Sequence, residues 1–166
     1  AATAVTVDST GTAVTYYAGS IVDYNGQFAE VSEANNSGLG GLVRILGPDL
    51  VMTAVSGPAM AGVGNSITIT NTAWNIGGGG ASYSEVRFYA STDAVITASD
   101  HLLSGSQWID GFDPGQIVDN ETTVWINGVT PGVYYLGAIA DGNGWVVETN
   151  ETNNGLAGNL ISIAGS

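Results

Sequence analysis

Residues 16–45 read YYAGSIVDYNGQFAEVSEANNSGLGGLVRI, and residues 134–163 read YYLGAIADGNGWVVETNETNNGLAGNLISI. The two stretches align without a gap at a constant offset of 118, with 14 identities in 30 positions. The identities fall at Tyr16, Tyr17, Gly19, Ile21, Asp23, Asn25, Gly26, Glu30, Glu33, Asn35, Asn36, Gly40, Leu42 and Ile45. An internal repeat decides the architecture before any local reading does. A period of this length is a domain, not a solenoid unit. One full period occupies residues 47–166, and residues 1–46 match the last third of a preceding one. The boundary falls at Leu46-Gly47-Pro48, where Gly-Pro interrupts regular structure.

Outward from the repeat, the chain reads as strands. Ser66-Ile67-Thr68-Ile69-Thr70 alternates polar and apolar, as does Glu85-Val86-Arg87-Phe88. Period-two alternation marks a half-buried strand. Turn clusters separate the runs at Gly62-Val63-Gly64-Asn65, Asp113-Pro114-Gly115, Thr130-Pro131-Gly132 and Asp141-Gly142-Asn143-Gly144. The four glycines at 77–80 read as a flexible hairpin loop. The full period yields seven strands, near 49–56, 65–75, 83–91, 102–109, 121–127, 133–140 and 145–164, the last broken by a Glu-Asn loop. Seven short strands with regular turns predict an all-β, immunoglobulin-like, seven-stranded antiparallel sandwich. Residues 1–46 predict a partial sandwich of about three strands, near 3–8, 13–22 and 27–31 with 41–46. Asn71 shares a face with Ile67, Ile69 and Ala73, so it must be hydrogen-bonded inside.

Composition narrows the function. Fifteen acids against two arginines, Arg44 and Arg87, leave a net charge of −13. Such a chain cannot hold a nucleic-acid backbone, and it is repelled by anionic membrane surfaces. The absence of Cys and Lys removes disulfides, thiol chemistry, Schiff bases and phosphate-binding P-loops. No apolar run approaches the length of a membrane span. With no basic and apolar leader, any signal peptide is already removed, and Ala1-Ala2-Thr3 would suit a mature N-terminus. An acidic, Cys-free surface suits an extracellular setting.

Several motifs in order complete the picture. Asp49-Leu50-Val51-Met52 follows a proline, and Trp74-Asn75-Ile76-Gly77 closes the second strand. Phe88-Tyr89-Ala90-Ser91-Thr92-Asp93 leads to Ile96 and Ser99-Asp100-His101-Leu102-Leu103. Pro131-Gly132-Val133-Tyr134-Tyr135, Ala140-Asp141 and the run Val147-Glu148-Thr149-Asn150-Glu151-Thr152-Asn153-Asn154 follow. This order resembles the CARDB family, the cell-adhesion-related domain of bacteria and archaea, over residues 48–164 and again over 14–46. The resemblance implies seven-stranded sandwiches repeated along secreted or surface proteins, serving adhesion, display or spacing and no catalysis. Trp74 and Asn71 depart from the usual pattern.

Two acidic groups are candidate calcium ligands, since calcium collects carboxylate and carbonyl oxygens. One is Asp93 with Asp100. The other is Asp141, Glu148 and Glu151, with repeat equivalents Asp23, Glu30 and Glu33. Against this, Asx residues in such loops commonly hydrogen-bond the backbone. A carboxylate pair such as Asp141 and Glu148 can serve glycoside hydrolysis, yet fifteen acids make many pairs. The only histidine, His101, has no Gly-x-Ser-x-Gly elbow to serve. The chain is expected not to be an enzyme. Trp74, Trp108, Trp125 and Trp145 raise the alternative of a glycan-binding module, with Trp108 and Trp145 flanked by polar residues.

The partial repeat carries the functional expectation. A single sheet needs a second layer over its apolar face, and open edges invite pairing. Either preceding strands belong to a longer tandem chain, or a neighbouring copy completes the sheet by strand addition. A head-to-tail contact of that kind builds a filament. The expected partners are therefore a second copy or neighbouring repeats, with a surface glycan as the alternative.

Overall fold

The structure is a computed structural model and describes residues 14–165. The strand expected over 3–8 lies outside the described residues. Strands β1 (Val14–Ile21) and β2 (Ser37–Ile45) form a separate antiparallel pair, joined by a loop with one 3-10 turn at Glu33–Asn35. Eight strands follow: β3 (Leu50–Ser56), β4 (Met60–Gly62), β5 (Ser66–Asn75), β6 (Ala81–Ser91), β7 (His101–Phe112), β8 (Ile117–Trp125), β9 (Gly132–Ile139) and β10 (Gly155–Ala164).

Their order is β3-β5-β8-β7-β6-β9-β10-β4. Strands β7 and β8 share the single pair Ser104–Trp125, and there the order folds into two layers, β3-β5-β8 and β7-β6-β9-β10-β4. The result is an all-β immunoglobulin-like sandwich. Period-two burial builds it: Ile67, Ile69 and Ala73 of β5 point inward while the threonines between them face outward. The core between the layers includes Leu50, Ile69, Val86, Phe88, Leu103, Phe112, Val124, Ile126, Leu136 and Ile161, all essentially inaccessible. Tyr134 closes one end of β9, its hydroxyl donating to Thr130 O at 3.0 Å, in the manner of the tyrosine corner of such sandwiches.

Three local expectations change. Residues 27–31 and 145–154 are loop, not strand, because the carboxylates of Asp23, Asp141 and Glu151 accept backbone N–H groups a strand would use. Strand β4, too short for an alternation pattern, pairs parallel with β10. The glycines at 77–80 do not form a free loop; the incoming chain packs against them. Asn71 is fully buried, with Nδ2 donating to Asn120 O and Thr122 Oγ1, both at 3.4 Å.

Candidate functional site

The hairpin β1–β2 and the hairpin β9–β10 coincide at the offset of 118. Val14 faces Ile45 as Gly132 faces Ile163; Tyr17 faces Leu42 as Tyr135 faces Leu160; Ile21 faces Ser37 as Ile139 faces Gly155. Both registers slip at the same place, between Tyr17 and Gly19 and opposite it between Ala157 and Leu160. The turns agree as well. Asp23 and Asp141 both adopt positive φ, 46° and 48°, and are the only non-glycine residues among those described to do so. Asp23 accepts the N–H of Phe28 at 2.8 Å, and Asp141 that of Val146 at 2.8 Å. A left-handed Asp costs strain unless its side chain is held, and these N–H groups hold it.

What differs is the covering. In the sandwich, Leu136, Ala138, Ala140, Ile161 and Ile163 lie at 2% exposure or less. Their counterparts Ala18, Ser20 and Val22 are exposed, Val43 is 42% exposed and Ile45 is half-buried. Tyr16, at 52%, and Phe28, at 71%, extend the same open face. Glycine 158 shows what belongs there. A Cβ on it would lie 2.1 Å from Val55 O, so β10 touches the backbone of β3. Gly40, its counterpart, meets only its own hairpin.

Between hairpin and sandwich, residues 46–50 are held by two loops. Gly47 O accepts from Gly79 N at 3.0 Å; Pro48 O accepts from Thr149 N at 2.9 Å; Asp49 O accepts from Ile76 N at 2.8 Å. Asp49 N donates to Asn75 Oδ1 at 3.2 Å, and Leu50 N donates to Glu148 Oε2. Asn75, fully buried, also donates to Gly79 O and Phe112 O, both at 2.9 Å. Asn153 donates to Asp49 Oδ1 at 2.8 Å. A backbone with this many partners has little freedom to swing. A Cβ on Gly79 would sit 2.3 Å from Leu46 O, so the glycine is required by the approach of the incoming strand.

Glu148 is the anchor of this clamp. It is 3% exposed, and its second oxygen accepts from Asn154 Nδ2 at 2.6 Å. Burial pushes its pKa up to about 7, against the hydrogen bonds from Leu50 and Asn154; Glu151 and Asp141 add to the rise. Burial also raises Asp141, against the N–H groups of Val146 and Trp145, with Glu151 and Glu85 adding to the rise.

The candidate calcium ligands make the following contacts. Asp93 Oδ1 accepts from Val95 N at 2.8 Å, and Asp100 Oδ2 accepts from Thr97 N at 2.7 Å, so both cap their own loop. Glu151 accepts from Glu148 N at 2.8 Å. Asp23 spends both oxygens on the N–H groups of Gln27 and Phe28. Glu30 takes the place of Glu148 in the hairpin, and the Glu33 side chain lies outside the description. Among the described residues no three acidic or histidine side chains are grouped to hold a metal ion. Four side-chain oxygens of this cluster, Asp141 Oδ1, Asn143 Oδ1, Asn153 Oδ1 and Asn154 Oδ1, are buried without a partner among the described residues. His101 Nε2–H donates to Asn127 O at 2.8 Å, a loop contact.

The tryptophans divide. Trp74 and Trp125 lie at opposite ends of the three-stranded layer. Trp108 and Trp145 meet Tyr83 on the outer face of the other layer, with Tyr83–Trp108 ring centroids 4.9 Å apart and Tyr83–Trp145 centroids 6.2 Å apart. Sequence reasoning named the two tryptophans and missed Tyr83, which only the strand register brings between them.

Comparison with known proteins completes the description. The CARDB family profile matches residues 47–158. A crystallographic CARDB domain from Pyrococcus furiosus, solved in complex with di-metal ions, aligns with TM-score 0.50 and 24% identity over 72% of this chain and 96% of its own. The solution structure of that domain aligns with TM-score 0.50 and 26% identity over 70% and 95%. A domain of a putative cell surface protein from Methanosarcina acetivorans gives TM-score 0.50 and 23% identity over 70% and 92%. No match was found among curated proteins.

Proposed function

The chain belongs to the CARDB family, a cell-adhesion-related group of β-sandwich modules, and on that premise we propose that it is an extracellular structural module joined head to tail with its neighbours. In this reading residues 47–166 form one complete repeat, and residues 14–46 are the closing hairpin of the repeat before it. The observation that carries it is the coincidence of β1–β2 with β9–β10 in register, slip and left-handed Asp. The exposed face of Tyr16, Val22, Phe28 and Val43 is then an inner face awaiting its second layer. A β3-like strand of a neighbouring repeat would lie along Gly40, as β3 lies along Gly158. The edge of β1 that is unpaired among the described residues would take the strand that β6 supplies to β9.

The clamp around residues 46–50 sets how such a module works. Every backbone bond that fixes the incoming segment also fixes the hairpin's exit direction. Successive repeats would therefore keep one relative orientation, giving a stiff stalk or filament that holds an adhesive end away from the cell. No helix is long and apolar enough to cross a membrane among the described residues. Sedimentation equilibrium over a range of concentrations tests the assembly. The 166-residue chain is expected to associate beyond a monomer, and the variant Val22→Ser/Phe28→Ser/Val43→Ser to remain monomeric. A wild-type chain that stays monomeric at every concentration would overturn head-to-tail assembly of isolated copies.

A further inference from the structure

We propose that the outer face of the five-stranded layer carries a binding site for a neutral polysaccharide, built from Tyr83, Trp108 and Trp145 with Glu85 and Arg87 beside them. The strand register makes the arrangement. On β6 the outward residues run Tyr83, Glu85, Arg87; directly opposite them on β7 stand Asp110, Trp108 and Ser106. On the other side the turn after β9 lies against β6, where Gly142 N donates to Glu85 O at 2.7 Å. That turn brings Trp145 up to Tyr83. The three rings lie within 4.9 to 6.2 Å of one another, and two of the three pairs are near-parallel. All remain open to solvent, Trp145 the most at 64%.

Such a patch is unusual on this surface. A free aromatic cluster gains by burial in a core, yet here the rings gather on the solvent side. Beside them a hollow of about 290 Å³ is lined by Glu85, Arg87, Leu102, Ser104 and Ser106, near the lower end of small-ligand pockets. Glu85 is only 6% exposed and holds Arg87 Nε at 2.8 Å. A fixed guanidinium and carboxylate with two serines offers paired donors and acceptors at set positions. Flat rings adjoining such groups match a pyranose, which presents an apolar C–H face for stacking and a rim of hydroxyls for hydrogen bonds. The charge of the chain selects among sugars. With −13 overall and Arg87 already neutralised by Glu85, an anionic polymer is repelled and a neutral one is not. The site lies away from the hairpin, so it stands or falls independently of head-to-tail assembly.

Affinity electrophoresis of the whole chain through gels holding hydroxyethylcellulose, galactomannan or soluble starch tests the site. Retardation is expected in at least one of the first two, whose pyranoses offer flatter C–H faces. Trp145→Ala, in a loop outside the strands of the sandwich, is expected to weaken binding about tenfold or more, and Trp108→Ala likewise. Trp74→Ala, at the far end of the other layer, is expected to bind as the wild type. Melting curves of each variant separate lost binding from lost fold. No retardation by any of the three polymers, or equal loss in Trp74→Ala and Trp145→Ala variants that still fold, would overturn the proposal.

Discussion

Glu148 joins three parts of the molecule: its carboxylate accepts from the first backbone N–H of β3 and from the Asn154 side chain, and its own N–H donates to Glu151. Its ionised form is buried, which is why its pKa rises to about 7. An acid whose folded pKa exceeds its unfolded one costs stability when ionised. The cost is absent below the ordinary carboxylate value, grows as pH rises, and is complete above about 7. Asp141 shifts in the same direction. The melting temperature is therefore expected to increase as pH falls from about 8 to about 5, and Glu148→Gln to flatten that dependence; a melting temperature that falls over this range would contradict the assignment. Glycines give a matched pair. Gly79→Ala drives a Cβ into the Leu46 carbonyl, while on Gly80 it meets nothing nearer than 3.7 Å. The first is expected to cost about 2 kcal/mol in chemical denaturation and Gly80→Ala almost nothing. Chelation by EDTA is expected to leave the melting temperature unchanged; a fall reversed by calcium would show that the folded protein holds an ion. At this scale the sequence showed which acids recur and not what they do. Asp23, Asp141 and Glu148 read equally well as cation ligands and as loop caps, and the structure adds the backbone N–H groups they accept from.

Among elements, the strands of the sandwich were legible because polar and apolar residues alternate, as in Ile67-Thr68-Ile69, and turns carry Gly, Asn and Asp. Residues 145–154 were not, since Val146-Val147 has strand composition but sits in a loop pinned by Asp141 and Glu151. Strand β4 was invisible for lack of length. The hairpin β1–β2 was legible only through its repeat. A two-stranded hairpin by itself is marginal in water. In dilute solution its amides are expected to exchange hydrogen quickly, while those of β5, β6 and β9 exchange slowly. Protection of β1 and β2 should appear on association, and fast exchange persisting in the associated state would place the interface elsewhere.

For the molecule as a whole, the net charge of −13 opposes bringing copies together, so added salt is expected to strengthen association by screening. Association weakened by salt, seen in the sedimentation profile, would point to a contact built on ion pairs instead. The repeat suggested the proposed organisation from residues alone, since the offset held over thirty positions without a gap. The clamp on residues 46–50 was not readable, because its partners come from loops distant in sequence and most of its bonds are to backbone. The central claim is that residues 14–45 are the closing hairpin of the same kind of domain that ends at 163. It is tested most directly by a chimera of residues 47–166 in which segment 14–45 replaces segment 132–163, which has the same length and register. Ala18→Leu and Ser20→Ala in the graft restore the core side chains of Leu136 and Ala138. Thermal unfolding of that chimera followed by circular dichroism is expected to show a cooperative β-sheet transition, below that of the parent segment 47–166. A chimera with no cooperative transition, when the parent segment has one, would contradict the claim.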